Sequence, residues 1–428
     1  MRYLAICLVS LCLMVSTGWA QEETIPAAMP EIDRYGDDIV NILLIGNATI
    51  YPENVGLTDA LVILSINRSQ QTVSFISLPR DLWVYVPDYG MAKINQAMYF
   101  GNYKIEGGDG ITSLKKTILY NLGVPIDFYA KINFSLFKSL IDSLGGVTVP
   151  VDCAIKDWRL ISPELDITEA ENYEMFILPA GVHHMHGDTA LWYVRSRKSS
   201  TDLDRNRRQQ DLLRAIWRRI ASKNLLSQLP ELWASVQDQV ETDMGFDDVL
   251  GFAPFALTFD VGNVRQYVFR QKQEITSGYN NLGQYIFSMD PEAVQAFLQG
   301  AIRPALVRQI KAYRPQVAVV NTSDWGAIAT IAIDRLTQEG FDPVLIEEEV
   351  HPSFYTRLVD YAGISKNNPA EALIKLFRLG EEQIEVDPDP DRDFDYKVYL
   401  GQDYINRACT RQVIQPSWEE IQSFLQSR

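Results

Sequence analysis

The chain is poor in the residues that most often carry metal or covalent chemistry. Its 428 residues include four cysteines and four histidines. Cys7 and Cys12 fall in the first twenty residues, which leaves Cys153 and Cys409. Two thiols so far apart do not make a disulfide framework. An oxidising compartment would permit their pairing, and their separation weighs against it. Three histidines crowd together as His183, His184 and His186. No nearby thiol or carboxylate completes a zinc set, so they are expected to be surface histidines. Basic charge is also scarce. A net charge of -16 excludes the basic footprint that a nucleic-acid partner requires. There is no GxSxG, HExxH, P-loop or GxGxxG, so the common hydrolase and nucleotide-binding schemes find no support. No internal repeat is present.

Against that background one stretch stands out. Tyr193 to Ile220 carries Arg195, Arg197, Lys198, Arg205, Arg207, Arg208, Arg214, Arg218 and Arg219 against Asp202, Asp204 and Asp211. Leu212, Leu213, Ile216 and Ile220 share one helical face. Extended towards the N-terminus, that face reaches Arg205 and Gln209. A buried stripe that ends in a guanidinium is costly unless the charge is used. The first turn of a helix also offers free N–H groups and a partial positive charge. Arg205, with Arg195 and Arg197 upstream, is a candidate phosphate cradle. Arg207, Arg214 and Arg218 fall on the opposite face and are expected to be solvated.

The N-terminus has a short positive region at Arg2, an apolar run, and Gly18-Trp19-Ala20 before polar residues. Residues 1–20 therefore read as a signal peptide cleaved after Ala20 or as an uncleaved anchor. Both readings place the body of the chain outside the cytoplasm. Residues 21–37 form a polar spacer with Pro26 and Pro30. Apolar runs at Ile42–Ile45, Ala60–Ile66, Thr72–Leu78, Phe128–Asn133 and Val147–Val151 predict strands. Gly110–Leu122, Phe134–Leu144 and Pro291–Ile302 predict helices. The alternation indicates an α/β sandwich with a mixed sheet. Trp158 to Glu174 reads as an irregular surface excursion. A small second α/β unit follows, with a strand at Val317–Val320, a helix over Trp325–Glu339 and a strand at Tyr396–Leu400.

Asp59 stands between a loop and an apolar strand. It is either a strand-entry carboxylate or a ligand for Mg²⁺, which takes one or two carboxylates plus phosphate oxygens. Arg80 follows Pro79 at the end of a strand. Neighbours along a strand point apart, so Arg80 is expected to turn away from Asp81. Asn67-Arg68-Ser69 fits the glycosylation acceptor triplet but is read as a turn.

The ordered segments NILLIGN, TDALVILSIN, VSFISLPRDLWVYVP, KINQAMYFGN, DFYAKINFSLFKSLIDSLGGVTV, HMHGDTALWYVRSRK and DLDRNRRQQ resemble the LytR–CpsA–Psr (LCP) family. The likeness gives an LCP-like domain over 38–302. VAVVNTSDWGAIATIAIDRLTQEGFDP and KVYLGQDY resemble the LytR C-terminal domain over 313–410, with 411–428 as a tail. The resemblance implies a phosphotransferase at the outer face of a bacterial plasma membrane. Such enzymes move a glycopolymer from a polyprenyl diphosphate carrier, whose tail fills an apolar tunnel, onto peptidoglycan or a related wall polymer. It implies that Arg80, Arg195, Arg197, Arg205 and Gln209 bind the diphosphate and that Asp59 holds Mg²⁺. The chain departs from the pattern at Ala48, where the family has its first metal aspartate, and at Leu57 and Ala60 around Asp59. The intact arginines and the missing carboxylate leave a second reading: a non-catalytic relative that binds polyprenyl phosphate lipid or wall glycan.

Overall fold

The computed structural model describes residues 25–46, 57–58, 60–162, 164–166, 168–198, 202–222, 233–234, 240–259, 263–304, 314–349, 351–363, 369–404, 409, 419–420, 423 and 426. The expected leader, Ala48 and Asp59 lie outside them. No helix of the described residues is long and apolar enough to cross a membrane.

The expected α/β sandwich is present. Its sheet is built on β1 (Ile39–Gly46), β2 (Ala60–Asn67) and β3 (Thr72–Leu78), three neighbouring antiparallel strands. A strand pair at β4 (Trp83–Val86) and β5 (Gly90–Lys93) follows. Then come α1 (Ala97–Tyr103), α2 (Gly110–Leu122), β6 (Phe128–Ile132) and α3 (Phe134–Ser143). β6 joins β1 in parallel. β7 (Val147–Val151) pairs with β10 (Gly181–Met185), and β8 (Ile155–Leu160) with β9 (Tyr173–Leu178). Two helices carry most of the candidate residues: α4 (Gly187–Arg195) and α5 (Asp202–Ser222). The short β11 (Glu241–Thr242) and β12 (Val264–Val268) complete the sheet in the order β11-β6-β1-β2-β3-β12, with β12 parallel to β3. A hairpin of β13 (Ile275–Tyr279) and β14 (Tyr285–Met289) precedes the helix Pro291–Ile302.

Alternation along β1 and β2 explains the layers. Leu43, Ile45, Leu61 and Ile63 face one side, where Leu114, Ile118 and Leu122 of α2 and Val294 and Leu298 of Pro291–Ile302 cover them. Ile42 and Val62 face the other side, with Phe75, Leu213 of α5 and Phe255. A side chain such as Ile63, fully buried between these layers, stabilises the fold by about 1.5–3 kcal/mol. The helix ends follow their signals. Asp109 accepts from the Thr112 N–H at the start of α2, and Gly123 closes it at φ 66°.

Within the excursion expected at 158–174, the described residues of 161–172 form a mostly exposed connection, as expected, whereas 158–160 and 173–174 belong to the β8–β9 hairpin. Its strands are mostly half-buried, so the sequence offers no clean period of two. A second sheet has the order β16-β15-β19-β17-β18, from β15 (Gln316–Asn321), β16 (Asp342–Leu345), β17 (Arg357–Asp360), β18 (Ile384–Val386) and β19 (Tyr396–Leu400). It packs on the helices Ala327–Gln338 and Ala370–Phe377. Contrary to the weight given to their separation, Cys153 and Cys409 form a disulfide, with Cα atoms 4.6 Å apart. The fold closes the gap of 256 residues by laying the second unit against β7 and β10.

Candidate functional site

β1, β3, β6 and β12 run in one direction, so their carboxyl ends share one edge of the sheet. Ligands of open α/β sheets bind beyond such ends. The direction of α5 follows from its hydrogen bonds. Gln210 Nε2 donates to the Phe75 carbonyl (3.0 Å), to Ser77 Oγ (2.8 Å) and to the Tyr267 carbonyl (2.9 Å). One residue further along α5, Asp211 accepts from Gln266, which lies level with Phe75 (3.4 Å). The helix therefore runs antiparallel to β3. Its first turns lie at the end of β3 that leads to Arg80. Arg205 sits about 7.5 Å along the axis from Gln210 towards that edge, and is 2% exposed.

Arg195 ends α4 and stacks its guanidinium over Phe134, the first residue of α3 and two past the β6 end, at 4.3 Å from the ring centroid. The α4–α5 connection is held from both sides. Arg208 Nε donates to the Tyr193 carbonyl at 3.0 Å, and its Nη2 donates to the Ser196 carbonyl. Gln209 Nε2 donates to the Val194 carbonyl at 3.5 Å. These side chains satisfy carbonyls that the end of α4 leaves open. From the other side, Asp157 on β8 accepts from the Ser196 hydroxyl (2.7 Å), the Arg197 N–H (2.7 Å) and the Lys198 N–H (3.0 Å). Burial pushes the Asp157 carboxyl up. The bonds from Lys198, Ser196 and Arg197 outweigh it and hold the group below the usual carboxylate range. Asp157 and Arg208 were not singled out from the sequence. Asp157 lies just before the segment read as irregular, and Arg208 was one arginine among eight.

Arg80 does pair with Asp81, at 3.3 Å, contrary to expectation. The strand argument fails because Pro79–Leu82 is a turn, closed by the Leu82 N–H to the Pro79 carbonyl at 3.1 Å. Asp81 is 6% exposed and also takes Lys93 Nζ at 2.7 Å. Lys93, in the KINQ segment, thus joins Arg80 around one carboxylate. Asn95 donates its N–H to the Arg80 carbonyl and accepts from the Thr58 N–H, both at 3.2 Å. Thr58, next to Asp59 in the sequence, is thereby tied to the Arg80 turn.

Among the described residues no group of three or more His, Cys, Asp or Glu could hold a metal. Asp81 is already shared by two cations, and the buried Asn95 Oδ1 is one oxygen donor left without a hydrogen-bond partner. These residues alone do not fit a Mg²⁺ site, which needs oxygen ligands in an octahedral set. His184 and His186 are exposed, as expected. His183 is half-buried with its Nε2 at 2.8 Å from the Pro179 carbonyl, and burial lowers its pKa.

Of the three arginines expected to be solvated on α5, Arg207 and Arg218 are partly exposed and Arg214 is covered. Arg214 is 5% exposed and bonded to Asp211 (3.2 Å) and to Asp334 of Ala327–Gln338 (3.0 Å). Arg218 lies 2.7 Å from Asp334. The second unit supplies the carboxylate that makes this burial tolerable, a contact that helical periodicity cannot reveal. A polar cleft of about 290 Å³ opens beside it, lined by Asp152, Arg207, Asp334 and Arg335 among others.

The LytR_cpsA_psr family model matches residues 12–300. The polyisoprenyl-teichoic acid–peptidoglycan teichoic acid transferase TagT of Bacillus subtilis is 29% identical over 198 residues, covering 46% of this chain and 56% of the relative. TagU of Oceanobacillus iheyensis, of the same description, is 31% identical over 212 residues, covering 49% and 60%. The chain thus spans little more than half the length of these curated relatives. The crystal structure of B. subtilis TagV aligns over 62% of this chain and 97% of its own, at 23% identity and TM-score 0.49. A structure of TagT bound to LIIa-WTA aligns over 66% and 97%, at 25% identity and TM-score 0.48.

Proposed function

Because the chain belongs to the LytR_cpsA_psr family, we propose that it is an exported phosphotransferase acting at the outer membrane face or in the wall. It moves a glycopolymer from a polyprenyl diphosphate carrier onto peptidoglycan or a related wall polymer. The curated relatives named above are transferases of this type. In this reading residues 38–302 are the catalytic domain and 313–410 the LytR C-terminal-like unit, behind a leader at 1–20 and a spacer at 21–37.

One observation carries the reading: the turn after β3, the end of α4, the loop bonded to Asp157 and the start of α5 bring Arg80, Arg195, Arg197 and Arg205 towards one sheet edge. Guanidinium forks match phosphate oxygens in geometry and charge. The acceptor hydroxyl attacks the sugar-side phosphorus. A new P–O bond forms as the bridging P–O bond breaks. Polyprenyl monophosphate leaves with the bonding pair, and the hydroxyl proton is lost to solvent. The arginines neutralise the charge that grows on the leaving phosphate. Gln209 braces the α4 end beside them. Asp59 would be the residue to hold Mg²⁺, and the ion would add charge neutralisation at the diphosphate.

The test is to incubate the exported portion with a polyprenyl diphosphate glycolipid and a wall acceptor, with and without Mg²⁺, and follow transfer and diphosphate cleavage. Turnover is expected. Binding without turnover in either condition would replace the enzyme reading with that of a lipid- or glycan-binding relative. Turnover that Asp59→Ala leaves equally responsive to Mg²⁺ removes the metal assignment.

A further inference from the structure

The β13–β14 hairpin lies beside the arginine site and belongs to no part of the mechanism above. It springs from the carboxyl end of β12, at the edge where Arg80 sits. Its root is bonded to the Arg80 turn. The Phe287 N–H donates to the Asp81 carbonyl at 2.9 Å, and Leu82 and Phe287 form a parallel bridge. That bridge fixes the direction. β14 runs alongside the chain that leaves the turn, so the residues before Phe287 lie on the Arg80 side. The tip, Tyr279 to Tyr285, extends past it.

The tip is built to be exposed and aromatic. Ile275, Ser277 and Tyr279 on β13 face the same side as Tyr285, Phe287 and Met289 on β14. At the root Ile275 and Phe287 are buried in the main core. At the tip Tyr279 is 75% and Tyr285 41% exposed. The rings form a continuous ladder, with centroids 5.3 Å apart from Phe287 to Tyr285 and 5.8 Å from Tyr285 to Tyr279. The turn between them is rigid: Asn280 Oδ1 accepts the N–H groups of Leu282 and Gln284. From Ile275 to Met289 no residue carries a charge, in a chain that is 22% charged.

A rigid, uncharged pair of tyrosines gives a large amphipathic contact area at low entropy cost. A charged diphosphate gains nothing from it. A neutral sugar ring, with apolar C–H faces and a hydroxyl rim, fits it. We propose that Tyr279 and Tyr285 form a platform for the sugar joined to the diphosphate of the donor. This rests on the arginine site binding the diphosphate, and it adds that this chain reads the first sugar rather than the lipid and phosphates alone.

The test compares the affinities of the protein for farnesyl diphosphate and for farnesyl diphosphates carrying one glucose or one N-acetylglucosamine. Wild type should bind at least one glycosylated lipid about 5-fold more tightly than the bare one, a preference of the size expected for aromatic contacts. The double variant Tyr279→Ala/Tyr285→Ala should bind all three alike, with affinity for the bare lipid unchanged. Tyr279→Phe/Tyr285→Phe should keep most of the preference, because the rings remain. An unchanged preference in the alanine variant overturns the proposal, as does a wild type with no preference. If that variant instead loses only inhibition by a soluble wall-glycan fragment, the platform takes acceptor sugar and the donor assignment is wrong. Failure of wild type to bind bare farnesyl diphosphate, with Arg197→Ala no different, would be a failure of the arginine site and not of the hairpin.

Discussion

Asp157 Oδ2 accepts the backbone N–H of Arg197 at 2.7 Å, so the orientation of one arginine is set by a carboxylate forty residues away on another hairpin. The same oxygen takes the Ser196 hydroxyl and the Lys198 N–H. Replacing Asp157 with Ala leaves three donors unmet and should cost about 2 kcal/mol of stability. Affinity for a bare diphosphate lipid should fall by about 10-fold, a change of about 1.4 kcal/mol in binding. Asp157→Glu should recover part of the affinity, and Asp157→Asn little, because the charge strengthens the bonds. Calorimetric binding and thermal melting measure the two effects separately. A variant that melts earlier but binds as well as wild type would leave Asp157 a purely structural residue.

The same carboxylate gives a pH dependence with a definite sign. Its pKa is depressed in the folded protein, so its stabilising contribution is fully present above the unfolded value of about 3.9. It is lost as pH falls through the lower folded value. The stability gap between wild type and Asp157→Ala should therefore be constant from neutral pH down to about pH 4 and narrow below it. Denaturant titrations at a series of pH values check this. A gap that widens on acidification contradicts the assignment.

Arg197 and Arg195 carry the clearest functional expectation. Arg195 stacks on Phe134 and Arg197 is exposed, so neither is needed to fill the core. Arg195→Ala and Arg197→Ala should each melt close to wild type. Each should lower turnover of a diphosphate glycolipid by about 100-fold, the scale of losing one donor to developing charge. Arg195→Ala should also abolish lipid binding with and without Mg²⁺. Retained binding would refute the cradle.

Asp81 predicts a different pattern. It is buried between Arg80 and Lys93, so Asp81→Ala leaves two cations facing one another. Stability should fall by about 2–3 kcal/mol. Added inorganic pyrophosphate should restore part of it, because the ligand replaces the lost negative charge. Thermal melting with and without pyrophosphate tests this, and a variant that pyrophosphate does not stabilise would place Arg80 outside the anion site.

Much of this frame is legible in the chain itself. The apolar runs of β1, β2 and β3 name the central strands because both faces of each are covered, and hydrophobicity alone encodes that. Gly110–Leu122 and Tyr396–Leu400 are found to the residue for the same reason of clear punctuation. What the sequence hides are relationships across long separations. Asp157 looks like one acid in a weakly patterned hairpin until β8 is seen beside the α4–α5 loop. Arg214 looks solvated on a helical wheel because the wheel does not contain Asp334. Arg80 was turned away from Asp81 by a rule for strands that does not hold in a turn. The tyrosine ladder has no motif at all, and its meaning comes from the bond between Phe287 and Asp81.

The second unit grips both elements that carry the arginines, and this sets its own prediction. Cys409 is bonded to Cys153, two residues before β8 and four before Asp157. Asp334 meets Arg214 and Arg218 on α5, the helix that begins near Arg205. Loss of the bridge frees a long loop in the unfolded chain, so Cys409→Ser should lower stability by about 2–4 kcal/mol. Asp334→Ala leaves Arg214 its bond to Asp211 and should cost about 2 kcal/mol. If the grip only stabilises the fold, lipid affinity at a temperature where both variants are folded will match wild type. If it also orders the arginines, each variant will bind a bare diphosphate lipid less tightly. The double variant will then lose less than the product of the two single losses, because both act on one loop and helix. Binding measured at a low temperature on the two single variants and the double variant decides between these outcomes. The positions of Asp157, Arg214 and Arg218 favour the second: the path from Cys153 to Arg197 passes through the Asp157 carboxylate, and that from Asp334 to α5 through two arginines of the helix itself.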